Sequence, residues 1–271
     1  MKNKLKIGIL GCGWLGTAVA RKLIEDGHNV KGSVTSSKGT EELKNLSVEP
    51  YVIQLVDSGE IENLKTFLVD LEVLVISIPP KTRQSDFSLI ASLQNAFKQY
   101  DFSKLKKLIY ISSTGVFQDD INVFYDEDST PNNTSERGKV LIELENFILN
   151  KNLQKSIIII RYGGLIEHGG RHPIHYLAGK KDIPNPEGAI NLIERSDAAN
   201  LLLKVIENDK DFNVYHGVNP NHPTRENYYT SKAKELDLSL PEFESSKPSK
   251  GKTILSEKTQ KHLNFIFKSN L

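Results

Sequence analysis

A short apolar run, Leu5-Lys6-Ile7-Gly8-Ile9-Leu10, passes directly into Gly11-Cys12-Gly13-Trp14-Leu15-Gly16, and a helical pattern begins at once. A chain can leave a buried strand and enter a helix this abruptly only where side chains are out of the way. Gly11 suits the tight turn, Gly13 has no Cβ to hinder a group approaching the backbone, and Gly16 lets the helix pack closely on the strand. The same geometry aims N–H groups and the positive end of a helix dipole at one point, as a dinucleotide diphosphate requires. A G-x-G-x-x-G spacing alone is weak evidence; after a strand and before an amphipathic helix it is much stronger. The plainer reading is a glycine-rich turn that serves packing only. Gly11, Gly13, Trp14, Leu15 and Gly16 are the expected cofactor contacts.

The first 160 residues keep alternating strand and helix patterns, which argues for a parallel sheet with helices on both faces. Strands are predicted at Lys6–Leu10, Asn29–Val34, Pro50–Leu55, Val73–Ser77, Lys107–Ser112 and Ser156–Arg161. Centres such as Val73-Leu74-Val75-Ile76 are continuously apolar, as in strands buried on two sides. Helices are predicted at Leu15–Asp26, Thr40–Asn45, Ile61–Val69, Gln84–Tyr100 and Arg137–Leu149, the last with Leu141, Leu144 and Ile148 along one stripe. Beyond Arg161 comes a Gly/His/Pro-rich loop, then a strand leading into a helix over Asn191–Ile206, with Ser196 as a candidate cap. A strand at Asn213–Val218, a helix at Arg225–Leu236 and a recovered pattern at Ser256–Phe267 follow. The expected architecture is a Rossmann-type, doubly wound parallel α/β sheet with a small C-terminal substrate-binding lid. Residues 1–161 would form the nucleotide-binding domain, with 190–218 returning to the sheet; 162–189 and 219–271 would form the smaller region.

Composition narrows the function classes. With 35 basic and 34 acidic residues among 271, the formal net charge is +1, which gives no electrostatic case for nucleic acid or an anionic membrane. Cys12 is the only cysteine, excluding an intramolecular disulfide and a structural cysteine–zinc site. No stretch approaches the ~20 apolar residues that span a bilayer, and no signal-peptide core precedes the first strand. A cytoplasmic protein acting on a small-molecule substrate, as a monomer or homodimer, is expected.

The residues after the second strand bear on which dinucleotide is bound. An acidic side chain there would accept hydrogen bonds from the adenosine ribose hydroxyls and repel a 2′-phosphate. Here the strand runs out through Val34-Thr35-Ser36-Ser37-Lys38, and no carboxylate appears before Glu41. Hydroxyls and an ammonium at Thr35, Ser36, Ser37 and Lys38 suit a phosphate, so NADP is expected, with NAD as the alternative. The competing role for Thr35 to Ser37 is a polar turn capping the next helix. Ile78 and Pro79, after the fourth strand, are placed for apolar contact with the adenosine side; a simple strand stop accounts for them equally well.

Together with the glycine turn, Tyr110-Ile111-Ser112-Ser113-Thr114-Gly115-Val116-Phe117 and the helix carrying Lys139 resemble the short-chain dehydrogenase/reductase superfamily, more narrowly its extended, epimerase-like branch. Arg161-Tyr162-Gly163-Gly164-Leu165-Ile166, Gly170-Arg171-His172-Pro173, Ala178-Gly179-Lys180, Asn191-Leu192-Ile193 and Ser249-Lys250-Gly251-Lys252 are similar to its YeeZ-like atypical subgroup. The resemblance implies an NAD(P)-dependent oxidoreductase or epimerase-like enzyme. In that superfamily a Tyr-x-x-x-Lys pair and a strand-end Ser or Thr sit beside the nicotinamide. By this resemblance Ser113 takes the Ser/Thr position and Lys139 the lysine. The tyrosine position holds Ser135, and an aliphatic hydroxyl is far too weak an acid to replace a phenol near neutral pH. Tyr110, Tyr125 and Tyr162 are candidates to bring a phenol from elsewhere, Tyr162 foremost as a sheet-mouth loop residue; aromatic packing is the competing role for each.

A guanidinium on a loop binds phosphate or carboxylate bidentately, so Arg171 and His172 join Ser113 and Tyr162 as candidate substrate contacts. A loop-pinning ion pair is the alternative. His168, His172 and His175 lack a metal-ligand spacing, and no metal is expected. Asp119-Asp120 and Asp126-Glu127-Asp128 read as a solvated flap, and Lys247, Lys250 and Lys252 as exposed loop charges. Ser135 leaves a second function open: a non-catalytic NADP-binding redox sensor or sugar-nucleotide-binding module.

Overall fold

The computed structural model describes residues 4–80, 88–100, 102–151, 156–209, 212–246 and 248–271. Strand and helix alternate as β1 (Lys6–Leu10), α1 (Trp14–Glu25), β2 (Asn29–Val34), α2 (Lys38–Asn45), β3 (Glu49–Val52), α3 (Leu64–Leu68), β4 (Val73–Ile76), α4 (Leu89–Gln99) and β5 (Lys107–Ser113). A 3-10 turn at Thr114–Val116 follows, then β6 (Phe124–Tyr125), α5 (Glu136–Leu149), β7 (Ser156–Tyr162), β8 (Gly164–Ile166) and α6 (Ile174–Leu177). The chain continues through β9 (Leu192–Glu194), α7 (Arg195–Glu207), β10 (Val214–Gly217), α8 (Arg225–Glu235), β11 (Thr253–Ile254) and α9 (Glu257–Leu263).

Seven strands form one sheet in the order β10-β7-β5-β4-β1-β2-β3. The pairs β1/β2, β1/β4, β2/β3 and β4/β5 are parallel, with Ile9 opposite Gly32 on one side and Val75 on the other. This is the doubly wound Rossmann-type arrangement, and it explains why all of β4 is buried. The chain winds outward from β1 to β3, then crosses back to β4 on the other side of β1. Doubly wound sheets bind ligands at the carboxyl ends of the strands beside that reversal. The glycine turn leaves the carboxyl end of β1.

Where elements differ from the sequence pattern, local backbone explains it. α3 is shorter than Ile61–Val69 because Asn63 enters it left-handed (φ 62°) and Val69 leaves it extended. α4 is described from Leu89, its cap Ser88 accepting the Ala91 N–H at 3.2 Å; the predicted residues Gln84 to Phe87 lie outside the described residues. Ser196 does not cap α7: it sits inside the first turn, and the Glu194 carboxylate accepts its N–H.

Two compact units divide the chain: Met1–Ser112 with Lys139–Ile160 and Ala199–Val214, and Ser113–Gly138 with Arg161–Ala198 and Tyr215–Leu271. The first is built on Leu10, Phe67, Leu74, Ile76, Leu93, Tyr110, Leu144, Ile148 and Ile159. Each such side chain contributes roughly 1.5–3 kcal/mol on burial. The second has its own smaller core of Ile166, Ile174, Ile190, Leu192, Tyr228, Tyr229 and Ala233. It also holds the two-stranded sheets β8/β9 and β6/β11. Within 190–218, β10 joins the seven-stranded sheet while β9 pairs with β8. Among the described residues no helix is long and apolar enough to cross a membrane.

Candidate functional site

In the first unit the glycine turn carries three glycines for three reasons. Gly11 has φ +92°, and a Cβ there would lie 2.7 Å from Ile78 Cγ1 and 2.9 Å from the Ser77 carbonyl oxygen. The end of β4 is drawn onto the turn by the Ser77 N–H donating to the Leu10 carbonyl at 2.8 Å. Gly16 packs α1 against the strand: its Cβ would lie 3.1 Å from the Gly11 oxygen and 3.3 Å from Ile9 Cγ2. Gly13 is exposed, and a Cβ there would meet nothing within 4 Å. No neighbouring atom requires a glycine at that position.

Gly13 is also the N-cap of α1. Among the described residues no side chain caps this helix, and no acidic residue lies in its first turn. The partial positive charge of the helix end is therefore not offset by a carboxylate of the helix's own first turn. An anion approaching Gly13 meets that charge with no side chain in between, so the donor set fits a diphosphate. Trp14 is half-buried at the start of α1, and Leu15 points into the core. Burial, with a smaller contribution from Glu42, pushes the Cys12 thiol up to about 12, so Cys12 is a neutral packing residue.

Sequence reasoning passed over Ser33, which touches this turn. Buried near the end of β2, it accepts the Gly11 N–H on its hydroxyl at 2.8 Å and the Cys12 N–H on its carbonyl at 2.7 Å. Thr35, Ser36, Ser37 and Lys38 follow, all exposed. The Ser37 side chain makes no capping bond to α2. Glu41, the first carboxylate, pairs with Lys44 at 2.9 Å. Ile78 is half-buried beside the turn and Pro79 is exposed.

The second unit holds a connected set of short hydrogen bonds. Ser113 is half-buried, its hydroxyl accepting the Gly115 N–H at 3.1 Å. The Gly115 carbonyl accepts from Asn133 Nδ2 at 2.8 Å, and Asn133 Oδ1 accepts the Ser135 N–H at 3.0 Å. The Ser135 hydroxyl accepts the Gly138 N–H at 3.1 Å, so Ser135 is the N-cap of α5. A Cβ on Gly138 would run into the Asn133 side chain. Asn133 thus ties the Ser113 turn to the start of α5. It was missed in the sequence, although Asn133-x-Ser135-x-x-Gly138 reads as an Asx turn followed by a cap. Lys139 is exposed one helical turn beyond Ser135.

The tyrosines are committed to packing. Tyr162 ends β7 rather than lying on a loop; it is fully buried and its hydroxyl donates to the Ala198 carbonyl at 2.7 Å. Burial drives that phenol far above its ordinary value. Tyr110 lies in the first unit's core, raised by burial and by the Glu145 charge. Tyr125 stacks on Phe117 with ring centroids 4.4 Å apart and donates to the Gln118 carbonyl at 3.1 Å. Neither Tyr110 nor Tyr162 presents a phenol with a lowered pKa.

Arg171 is exposed, whereas His172 is half-buried. His172 Nδ1 accepts the Ile174 N–H at 3.1 Å, which assigns the ring proton to Nε2, 2.9 Å from the Tyr228 hydroxyl. Burial first, and the Lys232 charge second, hold this imidazole down at about 4, so it is neutral. His168 and His175 are exposed, and among the described residues no group of His, Cys, Asp or Glu is arranged to hold a metal ion.

Asp119, Asp120, Asp126 and Asp128 are exposed as a solvated segment would have them, but Glu127 is not. Glu127 is buried, its Oε1 accepting from both the N–H (2.8 Å) and the hydroxyl (2.6 Å) of Thr259. Asp128 pairs with Lys258 at 2.5 Å. Lys252, expected to be exposed, donates to the Phe117 carbonyl at 2.7 Å and pairs with Asp119 at 3.0 Å. Lys250 is exposed; Lys247 lies outside the described residues.

Residues 6–98, from β1 through α4, match the family described as "NADP oxidoreductase coenzyme F420-dependent". Among solved structures, a functionally unknown conserved protein from Silicibacter pomeroyi superposes with a TM-score of 0.79 at 18% identity, covering 98% of this chain and 94% of that one. The UDP-glucuronic acid 4-epimerase of Bacillus cereus, crystallised with NAD, gives 0.76 at 17% identity over 98% and 94%. At these identities both speak for the fold alone. Protein YeeZ of Escherichia coli K12 is 30% identical over 270 residues, spanning 97% of this chain and 95% of that protein. Likeness of that extent, reaching through both units, makes the chain a member of the YeeZ family.

Proposed function

We propose that the chain binds an NAD(P) dinucleotide at the glycine turn and acts as an oxidoreductase or epimerase-like enzyme on a small polar substrate. The observation that carries the reading is Gly13: a glycine that no neighbouring atom requires, at the uncapped positive end of α1. Backbone N–H groups there would hold the diphosphate, and Ile78 with Pro79 would meet the adenosine. A bound nicotinamide would supply the hydride donor or acceptor. Lys139 would hold its ribose hydroxyls, and Ser113 would orient a substrate oxygen, with Arg171 and His172 as further contacts. NADP is favoured because hydroxyls and an ammonium at Thr35, Ser36, Ser37 and Lys38 face solvent without a carboxylate among them. The family name matched by residues 6–98 agrees with that preference, while the Bacillus epimerase was crystallised with NAD.

Titration of NADPH and NADH against intrinsic fluorescence tests the reading. Tighter binding of NADPH is expected, and Thr35→Asp should reverse the preference by at least about tenfold through repulsion of the 2′-phosphate. No binding of either coenzyme would end the proposal. A second reading, a non-catalytic NADP-binding sensor, is favoured by one observation: the Ser135 hydroxyl is occupied as a helix cap. NADPH consumption across a panel of aldehydes, ketones and sugar nucleotides separates the two, since a sensor binds without oxidising.

A further inference from the structure

We propose that Ser33 is the positioning residue of the glycine turn, its buried hydroxyl holding the backbone in the shape that receives a diphosphate. The inference rests on the dinucleotide reading above. β2 follows β1 residue by residue until Gly32 lies beside Ile9. One step on, β1 turns away through Gly11, and the ladder can no longer continue. Ser33 takes over both successive donors, Gly11 N–H on its hydroxyl at 2.8 Å and Cys12 N–H on its carbonyl at 2.7 Å. The Gly13 N–H folds back on the Gly11 carbonyl at 2.9 Å, so the next link of the turn hangs from the first.

The strand that carries Ser33 cannot move with the turn. The Val34 carbonyl accepts the Ile53 N–H at 2.9 Å, which fixes the end of β2 against β3. Without the hydroxyl, a part-buried N–H loses its acceptor, and donors screened from water are rarely left in that state. The flexible party is the glycine turn, whose residues tolerate many backbone conformations. It would open toward water, turning the N–H groups near Gly13 away from a common point. The loss then falls on the diphosphate, which NADPH and NADH share, and not on the 2′-phosphate.

Trp14, the chain's single tryptophan, opens α1 and reports on the turn directly. Three quantities are measured for the wild type, Ser33→Ala and Ser33→Thr: Kd for NADPH and NADH, acrylamide quenching of Trp14 in the dinucleotide-free protein, and thermal melting. Ser33→Ala should raise both Kd values about tenfold by the same factor and make Trp14 easier to quench. Ser33→Thr, which keeps the hydroxyl, should stay within about twofold of wild type. Unchanged Kd values in Ser33→Ala, a loss confined to NADPH, or a threonine variant as weak as alanine overturns the inference. If Ser33→Ala does not fold, Ser33→Cys, with its poorer acceptor, is judged by the same criteria. A wild type that binds neither coenzyme defeats the functional reading and this inference with it. A wild type that binds, beside a Ser33→Ala that binds equally well, defeats the inference alone.

Discussion

Gly11 and Gly13 stand two positions apart and are glycine for opposite reasons. At Gly11 a side chain would adopt a left-handed backbone and press on Ile78 and Ser77. Gly11→Ala should therefore destabilise the fold by about 2 kcal/mol before any ligand is considered. At Gly13 a side chain meets open space, so Gly13→Val should melt within a few degrees of wild type yet weaken NADPH binding at least about tenfold. Thermal melts and coenzyme titrations on the two variants check both statements. A Gly13→Val protein that binds NADPH normally would remove the diphosphate from this turn. The motif spacing made both glycines legible, but it could not say which one serves the fold and which one leaves room. Ser33 was illegible for another reason: a serine in a strand reads as merely small, and its partner Gly11 lies 22 positions away.

At the scale of elements, Lys107 illustrates how a strand end serves a helix. It opens β5 and is buried, unusual for lysine. Its ammonium donates to the carbonyls of Val205 (2.8 Å), Ile206 (3.2 Å) and Asn208 (2.7 Å), closing the C-terminal end of α7. These carbonyls have no later helical N–H to accept, and they carry the negative end of the dipole. Lys107→Met should lower stability by about 2 kcal/mol and release hydrogen-exchange protection first in the last turn of α7. Urea unfolding and amide exchange measure this; full stability in the variant would show the contact to be idle. The strands β1 and β2 were legible to the residue because Gly11 stops the apolar run of β1, while Gly27-His28 and Thr35-Ser36-Ser37 bracket β2. α3 misled because Ile61, Leu64 and Phe67 keep helical spacing and are all buried, although Ile61 precedes the helix. Glu127 looked like its solvated neighbours because its partner Thr259 lies 132 positions away.

For the whole molecule, near-balanced charge conceals a dependence on pH that a few buried groups set. His216 is fully buried, its Nδ1–H donating to the Leu255 carbonyl at 2.8 Å. Burial above all, with the nearby Arg161 charge assisting, holds its imidazole down at about 4. His172 is lowered to about 4 in the same way, though from a half-buried site whose effect solvent partly screens. In the unfolded chain both rings take up a proton near pH 6.5. The unfolded state therefore binds more protons between about pH 6.5 and 4, and stability must fall as pH falls through that window. Above it the contribution is complete. For His216 the full span corresponds to about 3 kcal/mol. Urea unfolding from pH 7.5 to 4.5 should show the decline, and His216→Asn, which keeps a donor for Leu255 but cannot titrate, should flatten it. An unchanged pH slope in His216→Asn would mean that the acid sensitivity arises elsewhere.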